Sequence, residues 1–352
     1  MEKRMILCVQ LNHYNFLLKG GVNLITNDVL LRSKYVYLDW NVFKYMKEPR
    51  VDKGELDKQF KNLILELKKK YKFPFSYAHI KDRANRYSEE HYEKVKEDFK
   101  FAEKITDSIC VGIYEGEPVL CKESIQRCFD DYISEEKSNK IDIVNSFPFS
   151  FRVDMEKLDK ELPMYDFLKE NQGLLSSVGM DEFLQEMFQY IFSDTNRYKK
   201  MRNYVERVDL KNDLNQAYSD SEAMYLNKLL FHLYPFMSSF QDDEVQLKKK
   251  WPEIAERWFS LNPVSSLGKD QLLIQGYTLL DMHPLFKEKM KKGKNTLDNI
   301  IRDGNHCFYA SKGQFYVSED DYTRRKTSFL FEVYNIKTKV VSESEFMNYL
   351  EV

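Results

Sequence analysis

Two short apolar runs at opposite ends of this chain each lead into an acidic residue. Residues 35–38 are followed by Asp39, and residues 315–318 are followed by Glu319 and Asp320. Runs of this length are typical of buried parallel strands and are too short for helices. Because the carboxyl ends of parallel strands meet at one edge of a sheet, where open α/β proteins bind ligands, we expect Asp39 and Asp320 to share an edge.

The segments around both runs alternate between strand-like and helix-like patterns. Residues 55–70 carry apolar side chains at helical spacing, residues 73–77 form another short apolar run, and a helix is expected from residue 78 onward. The predicted C-terminal elements are a helix over 297–311, a strand over 315–318, a helix over 323–334, a strand over 338–342 and a short helix over 345–350. This alternation predicts an α/β fold with a parallel core sheet, right-handed crossovers and helices on both faces.

From about residue 85 to residue 284 the pattern changes to long amphipathic stretches. Glycine and proline are scarce, with 12 and 9 in 352 residues, which favours long helices over a many-stranded β fold. The predicted elements here are helices over 89–105, 181–205, 212–236, 245–259 and 269–281, and a hairpin over 109–120 that turns at 115–117. We therefore predict four regions: an N-terminal extension (1–34), a first core half (35–84), a mostly helical insertion (85–284) and a second core half (285–352).

The amino-acid composition limits the classes of function that the chain can have. Hydrophobic residues make up 43% and charged residues 31%, the balance of a globular protein, and the formal net charge of −2 excludes a strongly basic nucleic-acid binder while allowing local basic faces. Five cysteines show no CxxC pair and predict buried thiols in a reducing compartment. No stretch approaches the ~20 apolar residues that a membrane helix needs. We expect a cytoplasmic protein without a membrane partner.

Acidic residues in these settings point to a divalent metal ion. Asp303 stands at the head of a predicted helix, and Asp39 and Asp320 follow predicted strands. Mg²⁺ and Mn²⁺ prefer carboxylate and water oxygens, and converging carboxylates without a metal should raise the pKa of at least one of them. We assign all three as candidate ligands, although Asp321 beside Asp320 could take its place.

Three sequence stretches resemble parts of the PIN domain ribonucleases. Residues 38–43, Leu-Asp-Trp-Asn-Val-Phe, resemble the opening strand of that family, in which an Asp is followed two residues later by an Asn. Residues 303–310, with Asp303, His306, Tyr309 and Ala310, are similar to the helix that carries the third acid, and residues 317–320 to the strand that delivers the fourth.

The resemblance extends to the second acid and to the end of the chain. Asp82 matches the second acidic position, where Glu is commoner, and residues 336–346 are similar to the closing strand and helix of a bacterial PIN-like subgroup. It covers about residues 35–86 and 285–345 and leaves out the predicted insertion. The resemblance implies that Asp39, Asp82, Asp303 and Asp320 are catalytic, with Asp82 as a second-site ligand or a residue that orients bound water.

The function that follows is metal-dependent hydrolysis of phosphodiester bonds. Two Mg²⁺ or Mn²⁺ ions about 4 Å apart can lower the pKa of a water and stabilise the leaving oxygen. The resemblance implies an endoribonuclease acting on single-stranded RNA, with DNA left open, and a toxin or defence effector is one such enzyme. The predicted insertion could bind a protein regulator or mediate self-association.

Basic residues near the acids are candidates for holding phosphates. Arg83 follows Asp82, while Arg324 and Arg325 follow Asp320 by one helical turn, and each could instead be a solvated helix residue. Asn41, two residues after Asp39, could hold that carboxylate, cap a helix or contact substrate.

Simpler interpretations compete with each assignment. A single Asp after a strand is often only a helix N-cap, and His306 is more readily a core histidine than a Mg²⁺ ligand. A non-catalytic binding protein on a PIN-like scaffold is the main alternative function. A phosphatase is disfavoured because Asp39 is followed by Trp and Asn rather than by a second Asp at the usual spacing. A P-loop enzyme is excluded because no GxxxxGK[ST] motif occurs, and the pair Gly20–Gly21 is too isolated for a dinucleotide site.

Overall fold

The computed structural model describes part of the chain, in twelve stretches. These are residues 34–84, 87–114, 117–138, 150–152, 155–156, 160, 165–170, 174–176, 195–207, 235–259, 269–288 and 297–351. The predicted N-terminal extension, residues 1–33, lies outside them, as do most of the helix predicted over 212–236 and residues 181–194 of another predicted helix.

The chain divides into two compact units, and the acids predicted to be catalytic all belong to the first. Unit 1 comprises residues 1–139, 264–277 and 302–352, and unit 2 comprises residues 140–263 and 278–301. The elements up to residue 139 are β1 (Val36–Leu38), α1 (Trp40–Lys47), α2 (Gly54–Leu67), β2 (Phe75–Ser76), α3 (Tyr77–Ala84), a 3₁₀ turn (Glu89–His91), α4 (Tyr92–Thr106), β3 (Ile109–Tyr114), β4 (Glu117–Lys122) and α5 (Ile125–Ser138).

The described elements from residue 140 onward include most of unit 2. They are β5 (Ser150–Arg152), α6 (Tyr165–Glu170), β6 (Leu174–Ser176), α7 (Thr195–Arg207), α8 (Glu244–Phe259), α9 (Lys269–Met282), α10 (Leu297–Ala310), β7 (Phe315–Val317), α11 (Asp321–Val333), β8 (Lys339–Val341) and α12 (Glu343–Glu351). In unit 2, Asp281 accepts hydrogen bonds from Tyr198 and Arg202, all three of them buried. None of the described helices is both long and apolar enough to cross a membrane.

The described residues of unit 1 form two small sheets in an α/β architecture. The first is parallel, in the order β1–β7–β8, with Leu38 paired to Val317 and Val317 to Val341. The second is mixed, in the order β2–β3–β4, with β2 parallel to β3 and β3 antiparallel to β4. A parallel bridge between Tyr35 and Lys72 pairs the free side of β1 with the segment that leads into β2.

The strands predicted over 35–38 and 315–318 are confirmed as β1 and β7, which pair in parallel. All three residues of β1 and all three of β7 are buried, as expected of strands covered on both sides. The helices predicted around them begin and end within a few residues of α2, α10, α11 and α12. The hairpin predicted over 109–120 is β3 and β4, although its turn at 115–116 lies outside the described residues.

The start of the predicted insertion is corrected by the sheet pairing. Residues 87–138 were predicted to belong to the insertion, but β3 pairs with β2, and α5 packs against α3 and α4 within unit 1. Phe99 of α4 and Phe129 of α5 are fully buried in the same apolar core as Val36 and Leu38. Helical periodicity shows that a face is buried but not which partner buries it, so the sequence could not assign these helices.

Candidate active site

Asp39 is the first residue after β1, at the edge of the parallel sheet. Its backbone N–H donates to the carbonyl of Val317 at 2.9 Å, which continues the ladder by one residue. Although Asp39 precedes α1, its side chain makes no capping hydrogen bond. Instead Oδ2 accepts from the Ser318 hydroxyl at 2.7 Å, and only 6% of the residue is exposed. The helix-cap interpretation therefore does not account for this carboxylate.

Asp82 lies on α3 and is held by two donors from α10. Arg302 Nε donates to Oδ1 at 2.9 Å, and His306 Nε2 lies 2.8 Å from Oδ2. Burial alone would raise the pKa of Asp82, but the charges of His306 and Arg302 outweigh it and hold the pKa below its ordinary value. The carboxylate is ionised and can only accept, so Nε2 of His306 carries a hydrogen.

Asp39, Asp82 and His306 converge. One ligand atom from each lies within 4.8 Å of the others, with Asp39 and His306 buried and Asp82 half-buried. Asp39 follows β1, whereas Asp82 lies on α3 and His306 on α10, so the three residues are far apart in the chain. Their convergence places two carboxylate oxygens and an imidazole nitrogen at the sheet edge that the strand pattern predicted.

His306 is also the start of a buried hydrogen-bond chain. Its Nδ1 lies 2.8 Å from the Tyr37 hydroxyl, which lies 2.5 Å from the Ser76 hydroxyl. Ser76 contacts His79, whose Nδ1 accepts from the Ser76 backbone N–H at 2.8 Å and whose Nε2 therefore donates to the carbonyl of Leu38 at 2.8 Å. The chain fixes the backbone immediately before Asp39.

His79 is a neutral structural residue. Burial, together with the charge of His306, lowers the pKa of His79 to about 3. Its ring packs edge-on against Phe43 and lies 4.8 Å from the ring of His306. No partner for His79 was predicted, because its hydrogen bonds are to the backbone of Ser76 and Leu38 and to the nearby Ser76 hydroxyl, and no long-range side-chain pattern reveals them.

The charge of Asp39 is poorly compensated. Burial raises the pKa of Asp39, and the like charges of Asp82 and Asp320 add to this, against the opposing effects of His306 and of the Ser318 hydrogen bond. A raised carboxyl pKa is the consequence that we expected of converging acids. Among the described residues, the hydroxyl of Ser318 is the hydrogen-bond donor to this side chain.

Asp303 and Tyr316 lie next to this group. Asp303 is half-buried on α10, one turn before His306, and its charge acts on Tyr316 of β7. The side chain of Tyr316 is fully buried against Tyr37, and its hydroxyl has no hydrogen-bond partner among the described residues. Burial, followed by the charge of Asp39, raises the pKa of Tyr316. A buried unpaired hydroxyl beside two acids is a polar group that a ligand could satisfy.

Asp320 caps a helix, and its charge also acts on the site. Its Oδ1 accepts from the Thr323 backbone N–H at 2.8 Å, so it caps α11, and its charge raises the pKa of Asp39. Asp321 is exposed and pairs with Arg324. Arg324 also donates to the carbonyl of Ser318 at 2.7 Å. Of the two adjacent acids, Asp320 is therefore the one that acts on the site.

The other predicted substrate contacts fall in different settings. Asn41 is exposed in the first turn of α1, and Arg325 is exposed on α11. Arg83 is buried, and its Nε donates to Asp98 at 2.7 Å, so its guanidinium already serves a structural ion pair between α3 and α4. Arg324 likewise holds the turn after β7. Only Asn41 and Arg325 present their side chains at the surface.

A second acidic group, the Arg50 cluster, anchors the turn after β7. Arg50 contacts Asp57 at 2.5 Å, Glu319 at 2.7 Å and Glu343 at 2.5 Å, and Lys53 contacts Glu319 at 3.0 Å. Burial, followed by the charge of Glu319, raises the pKa of Glu343 to about 8. With Glu343 protonated, the two remaining carboxylates face two cations, and Glu319, the neighbour of Ser318, is fixed in place.

Sequence reasoning missed Arg302 and Ser318 and gave His306 a core role. Arg302 lies one turn before His306 on α10, a spacing that puts both on one helix face and could have signalled a joint partner. Ser318 follows β7 in register with Asp39, but its role depends on which strands pair. No protein-family model, no curated protein and no solved structure matches this chain.

The donor set fits a divalent cation. Asp39 offers a carboxylate with one hydroxyl donor, and each oxygen of Asp82 retains a lone pair beyond its present hydrogen bond. Two carboxylates suit Mg²⁺ and Mn²⁺, whereas an imidazole suits Mn²⁺ better than Mg²⁺. Asp39 and Asp82 would hold the ion, and His306, whose Nε2–H donates to Asp82, would orient that carboxylate rather than bind the metal itself.

Proposed function

We propose that this protein is a metal-dependent nuclease with a PIN-like core, acting on single-stranded RNA. The observation that carries the proposal is the convergence of Asp39, Asp82 and His306 within 4.8 Å at the carboxyl edge of a parallel sheet. The other two predicted ligands, Asp303 and Asp320, are not members of this group, but the charge of Asp320 acts on Asp39 and that of Asp303 acts on Tyr316. The PIN-like assignment rests on the sequence resemblance.

The residues of the chain would divide the work between binding and orientation. Asp39 and Asp82 would bind Mg²⁺ or Mn²⁺, which supplies an activated water and neutralises the developing charge on a phosphodiester. Arg302 and His306 hold both oxygens of Asp82, so the direction of that carboxylate is fixed before the ion binds. Ser318 does the same for Asp39. Asn41 and Arg325, exposed near the site along the chain, are the candidates for phosphate contact.

Cleavage of a labelled single-stranded RNA and of the matching DNA, with Mn²⁺ or Mg²⁺, tests the proposal. We expect metal-dependent cutting by the wild-type protein and a loss of at least about 100-fold in Asp39→Asn, because electrostatic groups of this kind contribute that much or more. Asp131→Asn removes an exposed acid of α5 and is the matched control, with activity expected within twofold of wild type. Unchanged cutting by folded Asp39→Asn would contradict the proposal.

The pairing of Asp82 favours a second candidate, a non-catalytic nucleic-acid or protein-binding module. Both oxygens of this carboxylate already have donors from the protein, which is also what a purely structural ion pair requires. The two candidates differ in their response to metal. Binding of the same RNA without a divalent ion, with no cutting and no metal-induced rise in melting temperature, would support the binding module and exclude the nuclease.

A comparison of Asp320→Asn with Asp321→Asn resolves the adjacent acids. Both residues are exposed, but Asp320 acts on Asp39 and caps α11, whereas Asp321 pairs with Arg324. We expect Asp320→Asn to lower the cleavage rate and Asp321→Asn to leave it within about twofold. Asn also caps helices well, so the melting temperature of Asp320→Asn should stay near that of wild type.

A further inference from the structure

Cys110 and Cys121 form a pair of thiols that takes no part in the acid site. Cys110 lies in β3 and Cys121 in β4, and the two residues are direct partners in the antiparallel ladder. Their sulfur atoms are 2.9 Å apart, and both are free thiols. Only 8% of Cys110 and 6% of Cys121 is exposed. Two thiols of the five in the chain are thus brought into contact by strand register alone.

The backbone geometry already satisfies the requirements of a disulfide. Residues paired across antiparallel strands have Cα atoms about 4.5–5.5 Å apart, and disulfides span about 4.4–6.8 Å. The sulfur atoms of Cys110 and Cys121 are in contact, so bond formation requires side-chain adjustment rather than movement of β3 or β4. The other buried thiols, Cys128 on α5 and Cys307 on α10, have no such partner residue in register.

We propose that Cys110 and Cys121 are a modification site at which hydrogen peroxide converts two thiols into an intrachain disulfide that thiol reductants reverse. In the first step one thiolate attacks a peroxide oxygen, the O–O bond breaks, and a sulfenic acid and hydroxide form. In the second step the other thiol attacks that sulfur, the S–S bond forms, and water leaves. The two thiols lose two electrons and two protons, and one peroxide becomes two waters.

The surroundings of the two thiols make them differ in reactivity. The hydrogen bond between the two sulfur atoms lowers the pKa of the Cys121 thiol and raises that of the Cys110 thiol, so Cys121 is the better nucleophile. β4 is an edge strand of its sheet in the described part of the chain, and edge strands open locally at low cost. Cys121, as the better nucleophile, therefore reacts first, and Cys110 resolves the sulfenic acid.

The test is thiol labelling of the full-length chain before and after treatment with hydrogen peroxide. The reduced, denatured chain should take five alkyl labels, and the treated chain two fewer, with the full number restored by dithiothreitol. Peptide mapping should join Cys110 to Cys121. The disulfide closes a loop of about a dozen residues, so the oxidised chain should melt about 5–10 °C higher without reductant.

Variants keep the test decisive if one of them folds poorly. Cys128→Ala and Cys307→Ala should each still lose two labels on oxidation, whereas Cys121→Ala should form no disulfide with Cys110. A disulfide that joins Cys128 to either thiol would overturn the proposal. So would loss of labels through sulfinic or sulfonic acids without a cross-link. Full retention of labels, under conditions that oxidise a free dithiol, would overturn it as well.

Discussion

The Arg50 cluster and the acid site both bury carboxylates in unit 1, yet they balance the charge differently. Around Arg50, three acids share one guanidinium with Lys53 nearby, and Glu343 takes up a proton near neutral pH. In the acid site, Arg302 and His306 both serve Asp82, and Asp39 receives a neutral hydroxyl. The carboxylates of the first group are balanced by cationic side chains of the protein, whereas Asp39 in the second group has a neutral hydroxyl as its hydrogen-bond partner, and under the proposed function a metal ion would balance its charge.

The largest effect should come from removing the cation that completes the Arg50 cluster. Arg50→Met leaves Asp57 and Glu319 in place with only Lys53 to oppose them. Removing one partner of a buried ion pair costs about 3–5 kcal/mol, so we expect the melting temperature to fall by roughly 10 °C or more. Arg127→Met, whose ion pairs are exposed and 3.8 Å long, is the control and should change little. Equal falls in melting temperature in the two variants would contradict the distinction that we draw between the Arg50 cluster and the acid site.

Glu343 should make stability depend on pH in a defined direction. Its pKa is about 8 in the folded chain against an ordinary value of 4.5, so between these values only the folded chain keeps the proton. Stability is therefore lost as the pH rises from about 4.5 to 8. Glu343→Gln is always neutral, so its free energy of unfolding should increasingly exceed that of wild type as the pH rises. The difference should reach roughly 2–4 kcal/mol at pH 9. Chemical denaturation at pH 5, 7 and 9 measures the gain, and a pH-independent difference would contradict it.

Asp39→Asn should have the opposite sign to Arg50→Met. Burial raises the pKa of Asp39, so its ionised form is costly without a metal, and Asn keeps the contact with Ser318 without the charge. We expect the metal-free variant to melt about 2–4 °C above wild type, for a gain near 1 kcal/mol. The rise that Mn²⁺ produces in wild type should be absent. A metal-free variant less stable than wild type would mean that Asp39 is compensated after all.

The smallest effect is expected at Lys53. Its side chain is 47% exposed, although it contacts Glu319 at 3.0 Å. Exposed ion pairs contribute about 0–1 kcal/mol, so Lys53→Met should lower the melting temperature by no more than about 2–3 °C. Thermal melts at low and high salt separate this contribution, because salt screens the exposed pair and leaves the buried contacts of Arg50 largely intact. A loss as large as that of Arg50→Met would show that Lys53 is the dominant cation.

The sequence predicted the parts of the fold that depend on local pattern. β1 and β7 were predicted because short runs buried on both faces are apolar throughout, and α2 and α11 because their apolar residues repeat at helical spacing. The pairing of β3 with β2 was not predicted, since a hairpin reads the same whether it extends a core sheet or belongs to an insertion. Register and sheet membership are long-range properties, and periodicity carries no information about them.

In the candidate site too, features that follow from local pattern were predicted, and features that depend on long-range packing were not. Strand ends predicted a common edge for Asp39 and Asp320, because the geometry of parallel strands fixes where their carboxyl ends lie. The ion pair of Asp82 with Arg302 could not be read from the sequence, since an Asp and an Arg 220 positions apart gain a relation only through helix packing. His306 was assigned to the core for the same reason. It is buried, but its second nitrogen faces Asp82 rather than an apolar wall.

The contact between Ser318 and Asp39 also sets an order of events during synthesis. The two residues are 279 positions apart, and β7 is the strand that lies between β1 and β8. At about 5–20 residues per second, a ribosome needs roughly 15–55 s to pass from one to the other. We expect the nascent chain to carry Asp39 through that interval without its strand neighbour, so that the acid site forms only when most of the chain has been synthesised.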